Sequence, residues 1–190
     1  RRRRPPIDLA AYRAAIGVPI RHFYDVHFNM AQEDYPALLR EYAECCARRL
    51  PECALADGAI EVLERLQTAG VSQVILTSGE QGVVERALKH YGILQYFDAV
   101  LGASDYFAES KLKRAREYLQ AQKIPPEQVL MTGDLAHDFF VARELGTRCV
   151  LVSRGHQGEV QFAGLEAEVI SSLSYLSFEQ NVPQLSLRAD

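Results

Sequence analysis

From Ile7 to Leu50 the apolar residues recur at helical spacing, as in Tyr35, Leu38, Leu39, Tyr42 and Cys46, with little clustering of β-branched residues. The first fifty residues therefore read as all-helical. Pro51 and Glu52 lead into a different regime, in which short apolar runs alternate with amphipathic helices up to the C-terminus. That regime opens with a helix from about Gly58 to Ala69, whose Ile60, Leu63 and Leu66 share a face and whose stop is Gly70. A strand follows over Gln73–Thr77, then a helix near Gln81–His90 ended by Gly92, and a short apolar run at Ala99–Leu101. The spacing next predicts a helix from Lys111 to about Gln122, closed by Pro125 and Pro126. A strand over Gln128–Thr132 leads through Gly133 into a helix ending near Gly146. The strand Cys149–Val152 and a weaker run at Val169–Ile170 complete the pattern.

Strands separated by helices of this length pair in parallel through right-handed crossovers. The expected fold is therefore α/β, a three-layer Rossmann-like sandwich over residues 51–190 with a separate helical unit over residues 1–50. Ligands of such sheets bind outside the carboxyl ends of the strands. Those ends are Thr77, Ser78, Gly102 to Asp105, Gly133, Asp134 and Ser153.

Asp134 and Asp138 stand four apart in VLMTGDLAHD. If the helix begins near Asp134, both carboxylates lie on one face of its first turn, and two hard oxygen donors so placed suit Mg²⁺. The same spacing also serves an N-cap and a dipole-complementing acid. Thr77, Ser78 and Gly79 offer a hydroxyl and freed backbone amides for phosphate oxygens, or else a helix cap. Lys111 begins a helix, the wrong end for a cation by the dipole argument, and a bound phosphoryl group would explain it. Lys113 is the competing lysine. His137 adjoins the aspartate pair and His156 follows the fourth strand in SRGHQ. His22, His27 and His90 read as surface or packing residues.

Composition narrows the function classes. The 190 residues are 48% hydrophobic, enough for a real core, and the formal net charge of −4 gives no reason to expect nucleic acid or a membrane surface as partner. Cys45, Cys46, Cys53 and Cys149 have neither regular spacing nor a CxxC pair, so neither a disulfide framework nor a zinc site is expected and a reduced cytoplasmic compartment is. No apolar run nears the roughly 20 residues needed to cross a bilayer, and none follows Arg1–Arg4 as in a signal peptide. Those four arginines before Pro5 and Pro6 read as a frayed, solvated helix end. Because the chain opens on Arg1 rather than Met, its native beginning is expected to lie further upstream.

Taken in order, the strand ending in Thr77, the helix-leading Lys111 and the strand ending in GDLAHD resemble three of the four signature motifs of the haloacid dehalogenase superfamily. The segment before Pro51 resembles the small helical cap of its phosphoglycolate-phosphatase-like branch, and SRGHQ with AEVISSLSYL resembles that branch's ending. The resemblance implies a HAD-like core over residues 51–190 and a cap over 1–50 truncated at its start. It also implies a Mg²⁺-dependent phosphatase of small phosphorylated metabolites. Thr77 would hydrogen-bond the transferring phosphoryl group, with Ser78 and Gly79 beside it. Lys111 would neutralise its charge, and Asp134 would bind Mg²⁺ with support from Asp138. A hydroxyl, a cation and a metal on one phosphate are the parts phosphoryl transfer needs.

The family's first motif, a strand followed by DxDGT, supplies the nucleophilic aspartate and the acid–base aspartate. Asp8 in IDLAAY, Asp25 in YDVHFN and Asp57 in ADGAIE do not match it. That motif precedes the cap in the family, so it is expected upstream of Arg1 on a central strand. Without that strand, edges would be exposed and the isolated chain is expected to be poorly stable or paired with another chain. A non-catalytic remnant acting by protein association, and a phosphotransferase or mutase on the same scaffold, are the other readings. The sequence fixes neither substrate nor oligomeric state.

Overall fold

A computed structural model describes residues 6–104, 111–178 and 185–187. Helices come first: α1 (Leu9–Ala15), α2 (Arg21–His27), α3 (Tyr35–Arg49) and α4 (Ala59–Thr68). Strands and helices then alternate through β1 (Val74–Glu80), α5 (Gln81–His90), β2 (Ala99–Ala103), α6 (Lys111–Gln122), β3 (Leu130–Gly133), α7 (Ala136–Leu145) and β4 (Arg148–Val152). The short α8 (Glu159–Phe162), β5 (Glu168–Ile170), β6 (Leu176–Phe178) and β7 (Leu185–Leu187) finish the chain. The helical opening and the α/β alternation are thus those the hydrophobic pattern predicts. Two features went unread, α8 and the antiparallel pairing of β6 with β7. Both consist of three- or four-residue pieces, too short to establish a period.

Local chemistry explains the boundaries. Asp8 and Asp34 cap α1 and α3, each accepting a main-chain N–H three residues on, from Ala11 at 2.7 Å and Ala37 at 3.1 Å. α4 starts after Gly58, which holds φ +77° and lies so close to residue 174 that a Cβ would stand 2.7 Å from the Ser174 nitrogen. No other residue type fits there. α7 stops where Gly146 takes φ +76°.

The described residues fall into two contact units, one of residues up to Glu33 with Leu130–Ser171, the other of Asp34–Val129 with residues from Ser172 on. In the first, β3, β4 and β5 form a parallel sheet in that order, with Met131 opposite Cys149 and Leu151 opposite Val169. Val150 and Leu151 on the middle strand are fully buried on opposite faces, as a parallel strand covered on both sides requires. Val141 and Ala142 of α7, Phe162 and Ile170 complete that core. Burying each large aliphatic side chain there contributes about 1.5–3 kcal/mol.

In the second unit β1 pairs in parallel with β2, and α5 and α6 pack against β1. Leu88, Ala103 and Ala115 are buried there, as are Leu38, Leu39 and Val62 of the preceding helices. Among the described residues β1 has β2 as its only ladder partner, and β3 has only β4. Among the described residues, each therefore has one edge without a ladder partner.

Candidate active site

In the first unit the chain leaves β3 at Gly133 and enters α7 at Ala136, so Asp134 sits in the connecting turn. This corrects the expectation that the helix begins near Asp134 with both carboxylates on its first turn. The residue before the helix is Leu135, and Asp138 lies inside it. Asp138 is 2% exposed, and its Oδ2 accepts the N–H groups of Asp134 and Leu135, both at 3.1 Å. These charge-assisted bonds compensate its burial and satisfy two orphan donors at the helix start. Asp138 therefore shapes the turn that carries Asp134.

Asp134 itself is half-buried, and its Oδ2 accepts the His156 N–H at 2.8 Å. Among the described residues no donor reaches Oδ1. A hard anionic oxygen so left at the carboxyl end of a parallel strand fits Mg²⁺, which is commonly held by one or two carboxylates with waters and substrate phosphate filling its shell. No cluster of three or more His, Cys, Asp or Glu suited to a metal occurs among the described residues.

Two glycines make room for this arrangement. A Cβ at Gly133 would lie 2.5 Å from the Asp138 Cγ, and one at Gly155 would lie 2.6 Å from the Asp134 Cγ. Beneath the turn, burial pushes the Cys149 thiol up to about 12, with the Asp138 carboxylate adding to the shift. Cys149 is thereby kept neutral and unreactive.

In the second unit β1 runs three residues beyond its expected end, to Glu80, and its ladder with β2 is irregular between Leu76 and Glu80. Thr77, Ser78 and Gly79 occupy that irregularity. The Thr77 hydroxyl accepts the Gly79 N–H at 3.1 Å, while Ser78 is exposed. Neither Thr77 nor Ser78 caps α5. That task falls to Glu80, which accepts the N–H groups of Gly82 and Val83, and these two bonds hold its carboxyl below the usual range. Across from the irregularity the Gly102 N–H donates to the Gln81 Oε1 at 2.6 Å, and a Cβ at Gly102 would stand 2.6 Å from the Gln81 Cα.

Lys111 opens α6 and is half-buried, whereas Lys113 is exposed. One turn on, Arg114 donates to the Thr77 carbonyl at 2.7 Å, tying the helix that begins with Lys111 to the strand that carries Thr77. Arg114 went unread in the sequence, although its i+3 spacing from Lys111 was a usable sign. Gly155 and Gln157 also went unread as supports of Asp134, because their partners are more than 20 residues away. Asp105 lies outside the described residues. His156 meets Asp134 through its main chain, and its imidazole Nδ1 lies 2.6 Å from the Tyr12 hydroxyl. The His27 ring lies tilted against Phe23 and the His90 ring meets Tyr91 edge-on.

The sequence matches the haloacid dehalogenase-like hydrolase family over residues 3–152. It is 31% identical to the tyrosine-protein kinase PtkA of Mycobacterium tuberculosis over 153 residues, 80% of this chain and 52% of that protein. The chain thus spans about half the length of that curated relative. It is 28% identical to the phosphoglycolate phosphatase of Caulobacter vibrioides, over 89% of this chain and 75% of that one. Among solved structures, the haloacid dehalogenase-like hydrolase SP0104 from Streptococcus pneumoniae superposes with a TM-score of 0.74 at 22% identity, covering 87% of this chain and 77% of that one, an agreement of fold. With parallel strands, a GDLAHD turn at the end of β3 and a family match over most of its length, the chain belongs to the haloacid dehalogenase-like hydrolases.

Proposed function

We propose that the protein is a Mg²⁺-dependent phosphatase of small phosphorylated metabolites, with residues 1–50 serving as its cap. The observation that carries this reading is Asp134, whose Oδ1 is open at the end of β3 while Asp138 and His156 fix the turn around it. Similarity to a phosphoglycolate phosphatase supports the substrate class. Bound Mg²⁺ would neutralise phosphate charge and withdraw electrons from phosphorus.

In this reading the Thr77 hydroxyl hydrogen-bonds a phosphoryl oxygen, the Lys111 ammonium offsets charge in the transition state, and Ser78 and Gly79 line the same loop. The reaction runs through an aspartyl-phosphate that water then hydrolyses. The four aspartates of the helical opening and its linker do not suit the nucleophile's role. Asp8 caps α1, Asp34 caps α3, Asp25 pairs with Arg21 at 2.7 Å, and Asp57 lies in the turn before α4. We therefore look for the nucleophile upstream of Arg1.

The test is hydrolysis of p-nitrophenyl phosphate by a protein extended upstream of Arg1, with and without Mg²⁺. Asp134→Asn should lower kcat by about 10²–10³-fold, the scale of losing one major electrostatic contact. Full activity in that variant would remove the assignment. The 31% identity to a tyrosine-protein kinase favours a second reading, transfer of the phosphoryl group to an acceptor other than water. Inorganic phosphate released in proportion to substrate consumed would reject it.

A further inference from the structure

Gln157 has no part in the chemistry above, yet it is 8% exposed, and its side-chain oxygen, side-chain nitrogen and main-chain N–H each make a hydrogen bond. Its Oε1 accepts the N–H of Ala136, the first residue of α7, at 2.7 Å. Its main-chain N–H donates to the Asp134 carbonyl at 3.1 Å. Together with the two bonds to Asp138, three consecutive N–H groups, at residues 134, 135 and 136, are thus committed to side chains. A turn with all its donors satisfied has one low-energy arrangement, and it is the one that aims the Asp134 carboxylate. Gln157 also places its chain neighbour His156, whose N–H holds the Asp134 Oδ2.

The other end of the amide points elsewhere. Its Nε2 donates at 2.7 Å to the carbonyl of Ile16, the residue that ends α1. Two further bonds run the same way, between the Tyr12 hydroxyl and the His156 Nδ1 at 2.6 Å and from the Arg13 Nε to the Gly155 carbonyl at 3.3 Å. Residues 12–16 and 155–157 therefore form a clasp, and the Gln157 side chain bonds both the end of α1 and the first N–H of α7 in the Asp134 turn.

We propose that Gln157 is a positioning residue that couples the hold of Asp134 on Mg²⁺ to the docking of α1 on the loop 155–157. The inference rests on reading Asp134 as the cation-binding carboxylate. Coupling of this kind is reciprocal, so whatever loosens α1 at Ile16 through this amide also relaxes the turn, and Mg²⁺ binding protects α1.

Two variants separate the arms of the amide. Gln157→Met keeps the volume and loses both side-chain bonds. Gln157→Glu keeps an acceptor for the Ala136 N–H, at a helix start where an anion is favourable, but has no donor for the Ile16 carbonyl. The intact protein is titrated with Mg²⁺ alone, following the His156 amide by NMR, and the exchange of the Ile16 amide is measured on the same samples. Gln157→Met should weaken Mg²⁺ about tenfold, the lower end of losses for residues that support a metal ligand, while Gln157→Glu stays within about threefold of wild type. Exchange at Ile16 should quicken at least about tenfold in both.

A merely structural glutamine would lower the melting temperature in both variants and leave the Mg²⁺ titration unmoved, and that result overturns the proposal. So does an equal loss of Mg²⁺ affinity in the two variants, or unchanged exchange at Ile16. If Gln157→Met does not fold, the Glu variant decides alone, and loss of its Mg²⁺ affinity overturns the proposal. Wild-type protein that ignores Mg²⁺, or Asp134→Asn that binds it as wild type does, overturns the cation reading and the coupling with it. A wild-type response that is lost in Asp134→Asn and intact in Gln157→Met overturns the coupling alone.

Discussion

Gly133→Ala tests the idea that a buried carboxylate shapes the Asp134 turn. Gly133 lies on β3 opposite Leu151, in extended backbone that alanine adopts freely, so any penalty comes from what the methyl meets. It meets the Asp138 Cγ at 2.5 Å, against an ordinary contact of at least 3.4 Å, so about 0.9 Å of overlap must be absorbed. Asp138 is 2% exposed and cannot swing aside without lengthening its bonds to the Asp134 and Leu135 N–H groups. Overpacking alone costs about 1–3 kcal/mol, and weakening a hydrogen bond to a charged group adds about 1.5–3. A loss of about 2.5–6 kcal/mol follows, which for a chain of this size lowers the melting temperature by roughly 5–20 °C. Thermal unfolding by circular dichroism measures it, and a double-mutant cycle with Asp138→Gly, which removes the Cβ as well as the carboxylate, assigns it. In the Asp138→Gly background neither the carboxylate nor the Cβ that the methyl strikes remains, and the methyl should cost less than about 1 kcal/mol. A methyl that costs the same in both backgrounds, or a single variant that melts within about 2 °C of wild type, would refute the reasoning.

Other sites give sharper contrasts between stability and function. Gly155→Ala drives a methyl to 2.6 Å from the Asp134 Cγ in a half-buried loop, so it should weaken Mg²⁺ dependence about tenfold or more in a phosphatase assay while melting within a few degrees of wild type. Arg114→Leu leaves the Thr77 carbonyl without its 2.7 Å donor and should cost about 1–3 kcal/mol in denaturant unfolding, with kcat falling more than substrate KM rises. At pH 8 a thiol reagent should label the exposed Cys45, Cys46 and Cys53 quickly and Cys149 at least about 100-fold more slowly, since the last is held protonated with its pKa pushed up to about 12. A raised folded-state value means that the neutral Cys149 thiol stabilises fully below about pH 8.5 and progressively less as pH rises toward 12. The melting temperature of wild type minus that of Cys149→Ala should therefore shrink between about pH 8.5 and 10.

The parts of the fold legible in the sequence were those with a period long enough to read. The helices Gln81–His90 and Lys111–Gln122 lie where their apolar spacing and the flanking Gly92 and Pro125 put them. Strand ends were harder. β1 continues through Thr77, Ser78 and Gly79 to Glu80 because its ladder with β2 resumes at Ala103 after an irregularity, and ladder partners are not written in a strand's own residues. The turn at Asp134 shows the same division. The GDLAHD string pointed to the right place, but the residue ending the turn was misjudged because Asp138 caps the helix backwards onto Asp134 and Leu135, moving its start to Ala136. Gln157, Gly155 and Arg114 act through contacts 21 to 37 residues away, and only Arg114, three residues after Lys111, has any local pattern to mark it.

That division bears on how an i, i+4 pair of acids should be read. Spacing alone makes Asp134 and Asp138 look equivalent, two carboxylates presented to one ion. Main-chain donors break the equivalence. Asp138 receives two N–H groups on one oxygen and is buried, so its charge is already offset by the turn it holds. Asp134 receives one N–H on Oδ2 and keeps Oδ1 open. An acid spent on the backbone fixes geometry, and an acid held at one oxygen and open at the other keeps electrostatic capacity for a ligand. Removing the first should therefore appear in unfolding curves before it appears in cation affinity, and removing the second should do the reverse. The asymmetry follows from where Gly133 and Gly155 let the two carboxylates lie, one pressed against each glycine, so the glycines carry as much of the design of this turn as the acids do.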